Sequence, residues 1–290
     1  KKKYFIKSNI VKIMTNKDIT IIITTFKSED KIDACLNAID RDIKVIVVEN
    51  SKNQKFKGYI ETKYPNVECE LANKNLGYGK ANNIGLKKVK TKYSLILNPD
   101  TVLKKEAIIN FFIFIKKNIN FAILGPSQSE SIVEKNYSNL SEADEVKGFA
   151  MFLNMEKFSK IGFFDENFFL YLEEIDLCKR TKNLNEKIYI DTSIEIFHAS
   201  GKSVNKNFSY EVELTRNWHW MWSLFYFNRK HFNFFYALLL VSPRFISALI
   251  KCIFYKLASN KKKKEIYIKR LSGLINSILG RSSWYRPTLD

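Results

Sequence analysis

Strand-like and helix-like patterns alternate along the first third of the chain. The predicted strands are near-continuous apolar runs rather than alternating ones, as expected of strands that are covered on both faces. They lie at residues 19–24, 44–48, 67–71 and 93–97. After the first run, four apolar residues share one helical face: Ile32, Cys35, Leu36 and Ile39. The alternation predicts an α/β fold with a Rossmann-like, mostly parallel central sheet flanked by helices.

The middle of the chain continues this pattern less regularly. A helix is predicted from Thr101, with an apolar stripe formed by Ile108, Phe111, Phe112 and Ile115. The polar stretch at residues 127–145 predicts a loop that could move. Strands are then predicted at three places: residues 148–153, 187–190 and 193–197.

Beyond residue 206 the pattern becomes helical and strongly apolar. Residues 232–250 are apolar apart from a few positions that include Arg244. A membrane-spanning helix needs roughly 20 apolar residues and tolerates a central arginine poorly, so an in-plane amphipathic helix is favoured over a crossing. Arg244, Lys251 and the run 261–264 would suit anionic lipid headgroups. A dimer interface or an ordinary core helix is the alternative.

The charge and the cysteine content limit the classes of partner and the cellular compartment that are expected. The 290 residues include 48 Lys and Arg against 30 Asp and Glu, which favours anionic partners such as nucleic acid, acidic lipid or a nucleoside diphosphate. No RNA-recognition, helix-turn-helix or zinc-finger pattern is present, so nucleic acid is not expected. The four cysteines form no C-x-x-C pair, and residues 1–14 hold no apolar signal core. A cytoplasmic protein is expected.

Polar residues at the ends of the predicted strands are candidates for chemistry. Ligands of parallel sheets bind beyond the carboxyl ends of the strands. There Asp100, after Asn98 and a proline, would offer oxygen ligands to a divalent cation that bridges a diphosphate. The run 75–83 places two glycines at the entry to a helix, where backbone N–H groups can approach a phosphate. A glycine-rich structural turn is the alternative reading of that run.

The acidic run at residues 162–180 is a second candidate site. It sets Asp165, Glu166, Glu173, Glu174 and Asp176 among aromatic side chains. Carboxylates beside apolar rings lose hydration, which raises their proton affinity towards that of a general base. A capped, half-buried helix is the alternative. His198 follows a predicted strand and could complete a metal or phosphate site, whereas His219 and His231 are expected to be structural.

In this order, the motifs of residues 19–230 resemble those of family 2 glycosyltransferases with a GT-A fold, above all the rhamnosyltransferase-like branch that builds bacterial polysaccharides. The resemblance rests on Thr24-Thr-Phe26, Val47-Val-Glu-Asn-Ser51, Asn75-Leu-Gly-Tyr-Gly with Ala81-Asn-Asn83, Leu97-Asn-Pro-Asp-Thr101, Gly148-Phe-Ala-Met151, Gly162-Phe-Phe-Asp-Glu-Asn-Phe-Phe-Leu-Tyr171, Glu173-Glu-Ile-Asp-Leu-Cys-Lys-Arg180 and His198.

The resemblance implies a role for each matching residue. Nucleotide and donor contacts would come from Thr25, Glu49, Asn75, Gly77, Asn83, Asn98 and Asp100, with Glu49 on the base edge. Mg2+ or Mn2+ would be held by Asp100 and His198. Sugar contacts would come from Gly148, Phe149, Asp165 and Glu166. The catalytic base would be Glu174; because the family usually has Glu-Asp where this chain has two glutamates, Glu173 and Asp176 stay open for that role.

The implied reaction is an inverting transfer of a sugar, with rhamnose favoured, from a dTDP or UDP donor to a glycan or lipid-linked glycan. The implied division is an extension at 1–17, a catalytic domain at 18–206 with halves at 18–101 and 102–206, and a C-terminal helical, membrane-leaning region at 207–290. A peripheral position on the inner membrane face is expected, and a homo-oligomer is compatible with the sequence. A catalytically silent module that binds nucleotide sugar is the alternative.

Overall fold

The computed structural model of the protein describes residues 18–104, 106–128, 140–198 and 209–286. These residues belong to two units. The first comprises the described parts of Lys1–Leu76, Ala81–Phe164 and Leu177–Val204. The second comprises the described parts of Gly77–Lys80, Asp165–Asp176 and Asn205–Asp290. Of the short segments of the second unit, Gly77–Lys80 lies within the predicted nucleotide half at 18–101, and Asp165–Asp176 lies within the predicted acceptor half at 102–206.

The first unit is built on a sheet of nine strands. These are β1 (Ile19–Thr25), β2 (Lys44–Glu49), β3 (Val67–Leu71), β4 (Tyr93–Leu97), β5 (Thr101–Leu103), β6 (Ile123–Gln128), β7 (Leu140–Glu142), β8 (Ala150–Asn154) and β9 (Ile188–His198). The order across the sheet is β3-β2-β1-β4-β8-β6-β9-β5, and β7 pairs with β9. Strands β1 to β4 are parallel, whereas β8 runs antiparallel to β4.

Nine helices are found in the part of the chain that the structure describes. They are α1 (Ile32–Asn37), α2 (Gln54–Lys63), α3 (Tyr78–Leu86), α4 (Ala107–Lys116), α5 (Met155–Ile161), α6 (Glu173–Asn183), α7 (Ser209–His231), α8 (Phe234–Leu257) and α9 (Lys261–Ile278). Helices α1, α2 and α4 contribute apolar side chains to the core of the first unit. The predicted α/β class with a helical C-terminal region is confirmed.

The core of the first unit explains why its central strands β1 and β4 are apolar runs. Every residue of β1 and β4 is buried, so both faces of these central strands are covered. On one face, Phe111 of α4 stacks on Phe152 of β8 with ring centroids 4.6 Å apart. Burial of such side chains contributes about 1.5–3 kcal/mol each. These buried contacts stabilise the sheet that carries the polar groups at its edge.

The structure corrects three predictions in the middle of the chain. Thr101 does not begin a helix; it begins β5, which pairs antiparallel with β9 through Thr101 and His198. The two predicted strands after residue 187 are one strand, β9, whose pairing with β6 shifts register after Pro126. Strand β7 lies inside the predicted loop 127–145, of which residues 129–139 lie outside the described part. The predicted mobility of that loop stays a prediction.

Three long helices form most of the second unit. The predicted stripe on α7 is confirmed, because Trp218, Met221, Trp222 and Phe225 are all buried. Helix α9 approaches α7 closely at Gly273, where a Cβ atom would lie 2.1 Å from the carbonyl oxygen of Trp218. Only glycine fits that contact.

Helix α8 buries only a narrow side of its surface. Its buried residues are Ala237, Val241 and Ala248. Pro243 lies inside the helix and cannot donate to the carbonyl of Leu239, and the hydroxyl of Ser242 donates to that carbonyl instead, at 2.8 Å. The helix therefore continues through its proline, and most of its apolar side chains stay exposed.

Candidate functional site

In the first unit, the carboxyl ends of β1 and β2 carry buried polar residues. Thr25 and Glu49 are each 1% exposed. The Glu49 carboxylate accepts hydrogen bonds from the backbone N–H of Ser51 at 3.0 Å and of Asn53 at 3.2 Å, and from the Ser51 hydroxyl. The same carboxylate therefore shapes the loop after β2. A contact of Glu49 with a nucleotide base stays a prediction.

Two asparagines of the predicted nucleotide run are held by backbone and amide groups. Asn75 accepts a hydrogen bond from Asn50 at 3.1 Å, and Asn50 in turn accepts one from the backbone N–H of Leu76 at 2.8 Å. The amide of Asn83 donates to the carbonyl of Phe164 at 2.9 Å and accepts from its N–H at 3.0 Å. Asn83 thus holds the backbone of the segment that carries the Gly162 motif. A contact of Asn83 with a nucleotide stays a prediction.

A basic cavity of about 400 Å3 opens beside these strand ends. It is lined by Lys27, Ser51, Lys52, Asn53, Asn73 and Lys74. Ser51 and Asn53 are the residues that hydrogen-bond Glu49. Three ammonium groups around an open cavity favour an anion such as a phosphate group. None of the three lysines was among the predicted site residues, because lysines are scattered along the whole chain.

Asp100 is the most unusual group at the sheet edge. It is 6% exposed, and neither of its carboxylate oxygens has a hydrogen-bond partner among the residues that the structure describes. Its Oδ1 lies 3.4 Å from Nε2 of His198, and the amide of Asn98 lies 3.5 Å from the same nitrogen. A buried carboxylate without donors is costly and calls for a compensating positive group.

The residues around this pair hold it in place. The ring of Phe149 stacks on the ring of His198 with centroids 4.7 Å apart. The backbone carbonyl of Phe149 accepts a hydrogen bond from the backbone N–H of Asn98 at 2.9 Å. Gly148 precedes Phe149 just before β8. The Cys35 thiol lies 3.7 Å from the hydroxyl of Thr101, and burial raises the pKa of this thiol to about 12. Cys35 is therefore an uncharged packing group.

The Asp100 and His198 pair fits a divalent cation. A carboxylate oxygen and an imidazole nitrogen are both ligands of Mn2+, and Mg2+ accepts one or two carboxylates together with substrate phosphates. Among the described residues there is no cluster of three or more His, Cys, Asp or Glu that could hold a metal alone. A cation held here would therefore draw its other ligands from water and a phosphate-bearing substrate.

In the second unit, a strained turn leads into α6. Tyr171 and Leu172 have φ angles of 72° and 69°, and two consecutive non-glycine residues in this region are energetically costly. Gly77 has φ 83°, and a Cβ atom there would lie 2.2 Å from the carbonyl oxygen of Phe169. That carbonyl accepts the N–H of Tyr78 at 3.0 Å. Because residue 77 is glycine, the backbone here can approach Phe169 closely enough for this hydrogen bond to form.

The three candidate bases differ in their surroundings. Glu173 is 4% exposed, and burial together with the neighbouring charge of Glu174 holds its pKa well above its usual range. Asp176 has no exposed surface; its Oδ1 lies 2.6 Å from Nζ of Lys230 and 2.8 Å from Nε2 of His231. Glu174 is half-buried. Of the three, Glu174 is the carboxylate whose side chain is partly exposed to solvent.

Asp165 belongs to the same network as Asp176. Its Oδ2 accepts from Lys230 at 2.7 Å and from the hydroxyl of Tyr226 at 2.9 Å, and its Oδ1 accepts from Asn167. Burial opposes the charged form, but the bonds from Lys230 and Asn167 outweigh it and lower the pKa of Asp165. Glu166 is exposed and pairs with Lys80 at 2.9 Å. Sugar contacts of Asp165 and Glu166 stay predictions.

Sequence reasoning missed Lys230 and Tyr226, and it assigned His231 only a general structural role. All three lie near the end of α7, more than 40 residues beyond the acidic run, so no local pattern connects them to it. It also missed the part played by Arg180 in the first unit. That guanidinium donates to the carbonyl of Ile161 at 2.6 Å and to those of the next two residues.

Two sequence relatives carry the names of sugar transferases. The chain is 26% identical over 198 residues to the low-salt glycan biosynthesis hexosyltransferase Agl10 of Haloferax volcanii, covering 59% of this chain and 64% of that protein. It is 25% identical over 251 residues to the rhamnosyltransferase WbbL of Escherichia coli K12, covering 72% of this chain and 92% of that protein. The chain thus spans less than two thirds of the Agl10 length.

Solved structures share the fold. The mannosyltransferase PcManGT from Pyrobaculum calidifontis, in complex with GDP-Man and Mn2+, superimposes on this chain with a TM-score of 0.55 and 11% identity, covering 97% of this chain and 94% of that one. This likeness confirms the predicted GT-A fold. The family model of glycosyl transferase family 2 matches residues 20–178, which is more than half of the chain. The chain therefore belongs to glycosyl transferase family 2.

Proposed function

We propose that the chain transfers a sugar from a nucleoside-diphosphate donor to a hydroxyl group of a glycan acceptor, with inversion at the anomeric carbon. The observation that carries the proposal is the buried Asp100 carboxylate, which has no hydrogen-bond donor among the described residues and lies 3.4 Å from His198. Such a pair at the carboxyl edge of a parallel sheet is suited to a cation that accompanies a diphosphate.

Asp100 and His198 are the residues that would hold Mg2+ or Mn2+. When bound, the cation would neutralise the negative charge that develops on the departing diphosphate. The lysine-lined cavity beside Glu49 would add positive charge for the nucleotide phosphates. The presence of Mn2+ in the PcManGT complex supports this assignment by analogy of fold.

Glu174 is assigned as the general base. In the transfer, the acceptor oxygen attacks the anomeric carbon, the bond to the diphosphate oxygen breaks, and the hydroxyl proton passes to the base. Glu173 is unsuited to this role because burial and the charge of Glu174 raise its pKa well above the usual range, which disfavours the ionised form that a base requires. Asp176 is enclosed by Lys230 and His231. Glu173 and Asp176 are therefore assigned a structural role in the helix that carries Glu174.

The donor and acceptor are assigned more finely from the relatives. Rhamnose from a dTDP or UDP donor is favoured because WbbL is named a rhamnosyltransferase, and a role in polysaccharide synthesis is favoured because Agl10 is named a glycan biosynthesis hexosyltransferase. The acceptor is proposed to be a lipid-linked glycan at the cytoplasmic face of the membrane. A catalytically silent nucleotide-sugar-binding module is the alternative that the experiments below distinguish.

Helix α8 is proposed to lie in the plane of that membrane. Among the described helices it is the one whose length and composition would allow a crossing, at 24 residues or about 36 Å. At 100° per residue, Arg244 and Lys251 fall beside its buried stripe, whereas the exposed apolar residues fall on the opposite side. That exposed side is formed by Phe235, Leu239, Ile246, Leu249, Ile250, Ile253, Phe254 and Leu257. One apolar face suits an interface better than a crossing.

The proposal is tested by thermal unfolding of the purified chain with dTDP, UDP, GDP and CMP, each with and without Mn2+. A ligand at about 100 times its Kd adds about 2.7 kcal/mol of stability. A Mn2+-dependent shift with dTDP or UDP is expected. The absence of a shift with every nucleotide would contradict the assigned pocket.

Turnover is then tested with Glu174→Gln, using Glu156→Gln as the control because Glu156 is an exposed acid in the first turn of another helix. Loss of the base is expected to lower the rate by about 10² to 10⁴-fold while nucleotide binding is kept. A Glu174→Gln variant at the parent rate would remove Glu174 from the role. Nucleotide binding without transfer to any acceptor tried in the parent chain would favour the silent module.

A further inference from the structure

The second unit contains an open cavity of about 570 Å3 that none of the predicted roles uses. It is lined by Tyr171, Glu213, Arg216, Asn217, Trp220 and Arg270. Four of these side chains come from one stretch of α7, and Arg270 comes from α9. Tyr171 comes from the strained turn that leads into α6. The cavity therefore brings two arginines to the turn that precedes the candidate base.

The two arginines favour a phosphate ligand. Their planar guanidinium groups match phosphate oxygens in pairs. Nε of Arg270 is buried and has no hydrogen-bond partner among the residues that the structure describes. A buried donor without an acceptor is unfavourable, and an anion bound in the cavity would give this group the acceptor it lacks.

The other walls of the cavity favour a sugar next to the phosphate. The rings of Tyr171 and Trp220 meet edge to face, with centroids 5.6 Å apart and an angle of 86°, and so form an apolar corner. Glu213 and Asn217 add acceptors and a donor that could meet hydroxyl groups. Ligand sites commonly combine aromatic walls with a few polar groups in this way.

The position of Tyr171 links the cavity to the proposed reaction. Tyr171 lies three residues before Glu174, and consecutive Cα atoms are about 3.8 Å apart, so the two Cα atoms lie within about 11 Å. A ligand that contacts Tyr171 therefore lies close to the helix start that carries the base. This position suits an acceptor, whose hydroxyl group must come within hydrogen-bond reach of the base.

We propose that this cavity binds the phosphate-bearing end of the acceptor, with Arg216 and Arg270 on a phosphate or diphosphate and the Tyr171 and Trp220 rings against the adjoining sugar. The inference rests on the proposed function, because it assigns the cavity to the acceptor of that transfer. It deepens that function by making the acceptor a glycosyl phosphate or diphosphate ester rather than a free glycan.

The test is a calorimetric titration of the full chain with farnesyl diphosphate, a soluble prenyl diphosphate. The chain is first saturated with Mn2+ and the nucleotide that gives the largest thermal shift, so that the probe cannot occupy the donor pocket. Arg216→Gln and Arg270→Gln are each expected to weaken binding at least tenfold. Arg229→Gln, which makes the same charge change elsewhere on α7, is expected to leave the Kd within twofold.

Further arms separate the sources of the signal. Farnesol, which lacks the diphosphate, is expected to bind at least tenfold more weakly than farnesyl diphosphate to the parent chain. Arg216→Lys and Arg270→Lys keep the positive charge, and each is expected to restore part of the affinity. Such a recovery would show that the losses in the glutamine variants do not come from misfolding. Nucleotide binding by every variant is measured in parallel, so that failure of the proposed function is seen separately.

Three results would overturn the inference. They are no binding of farnesyl diphosphate by the parent chain, equal losses in the Arg229→Gln control, and equal affinity for farnesol. In a fourth arm, binding to phosphatidylglycerol vesicles is compared for the parent and the two Arg→Gln variants. A tenfold loss there would assign the cavity to membrane phospholipid instead of the acceptor, whereas unchanged vesicle binding would support the acceptor assignment.

Discussion

The ammonium group of Lys230 lies 2.6 Å from the carboxylate of Asp176, a residue with no exposed surface that stands two positions after Glu174. Lys230 also reaches Asp165 at 2.7 Å, and His231 contacts Asp176 at 2.8 Å. One end of α7 thereby fixes both the segment before the strained turn and the first turn of α6. Lys230 is a positioning residue for the proposed base, because its contacts are with Asp165 and Asp176.

Replacement of Lys230 by Met is expected to lower both stability and turnover. Removing one partner of a buried ion pair costs about 3–5 kcal/mol, and the value here should fall at the lower end because His231 remains beside Asp176. A displaced α6 should lower kcat at least tenfold and leave the KM for the donor within threefold. Denaturant unfolding and steady-state kinetics measure the two effects.

The control for this variant is Lys179→Met, which removes a half-buried lysine later on α6. A double-mutant cycle with Asp176→Asn isolates the coupling between Lys230 and Asp176. A Lys230→Met enzyme with an unchanged kcat would contradict the positioning role. Arginine at position 230 keeps the charge and should recover part of the rate.

Local sequence determines much of this fold but not the network around Asp176. Strands β1 and β4 could be predicted because each is an apolar run whose burial follows from its own residues. Residues 101–103 could not, since their strand conformation depends on pairing with β9, almost one hundred residues later. The Asp176 contact with Lys230 likewise joins positions more than fifty residues apart.

The candidate site shows the same division. Asp100 was predicted because a proline turn after an apolar run places it at the sheet edge, and the structure sets His198 beside it through the pairing of β5 with β9. The cavity arginines lay outside every motif. Their approach to Tyr171 depends on the packing of α7 and α9, which periodicity alone does not specify.

Asp100→Asn is expected to remove the Mn2+-dependent part of the nucleotide-induced thermal shift. The amide is a poor cation ligand, whereas the carboxylate is a good one. Without ligands the variant should be at least as stable as the parent, because it no longer buries a carboxylate whose oxygens lack donors among the described residues. Thermal unfolding with and without nucleotide and Mn2+ measures both effects.

Asp40→Asn is the matched control, since Asp40 is an exposed acid in the same unit. It should leave the metal-dependent shift unchanged. A full Mn2+-dependent shift in Asp100→Asn would exclude this carboxylate as a ligand of the cation. His198→Ala should weaken the shift without abolishing it, because it leaves the carboxylate in place.

The raised pKa of Glu173 predicts a pH dependence of stability. Burial, and then the charge of Glu174, raise its pKa well above the ordinary value of 4.5, so the folded chain holds a proton that the unfolded chain releases. The stability contributed by this group is full below about pH 4.5 and is lost as the pH rises through the raised pKa. The Glu173→Gln variant does not lose stability in this way, because glutamine does not release a proton.

The stability of Glu173→Gln relative to the parent should therefore increase between pH 5 and 8, by up to about 1.4 kcal/mol for each pH unit until the folded pKa is reached. Denaturant unfolding at four pH values measures it. Glu156→Gln, at an exposed position, should show a flat difference over the same range. Parallel curves for the parent and Glu173→Gln would show that Glu173 is ionised in the folded chain.

Membrane binding is expected to depend on the exposed apolar side of α8. Leu239 and Phe254 are 73% and 60% exposed, and burying such side chains in lipid contributes about 1.5–3 kcal/mol each. Leu239→Asp with Phe254→Asp should therefore lower flotation with vesicles of phosphatidylethanolamine and phosphatidylglycerol at least tenfold. Leu184→Asp is the control, because Leu184 is 51% exposed in the first unit; it should float like the parent.

The orientation of α8 can be tested with the same vesicles. A helix that lies in the interface is released by alkaline carbonate, whereas a helix that crosses the bilayer stays in the pellet. Release is expected, because Arg244 and Lys251 share a side of α8 with its buried stripe and would both have to enter the bilayer core in a crossing. Raised salt should weaken binding as well, since the lysines at 261–264 begin the next helix and lie exposed or half-exposed. Carbonate-resistant binding that salt does not change would contradict the in-plane arrangement and favour a crossing.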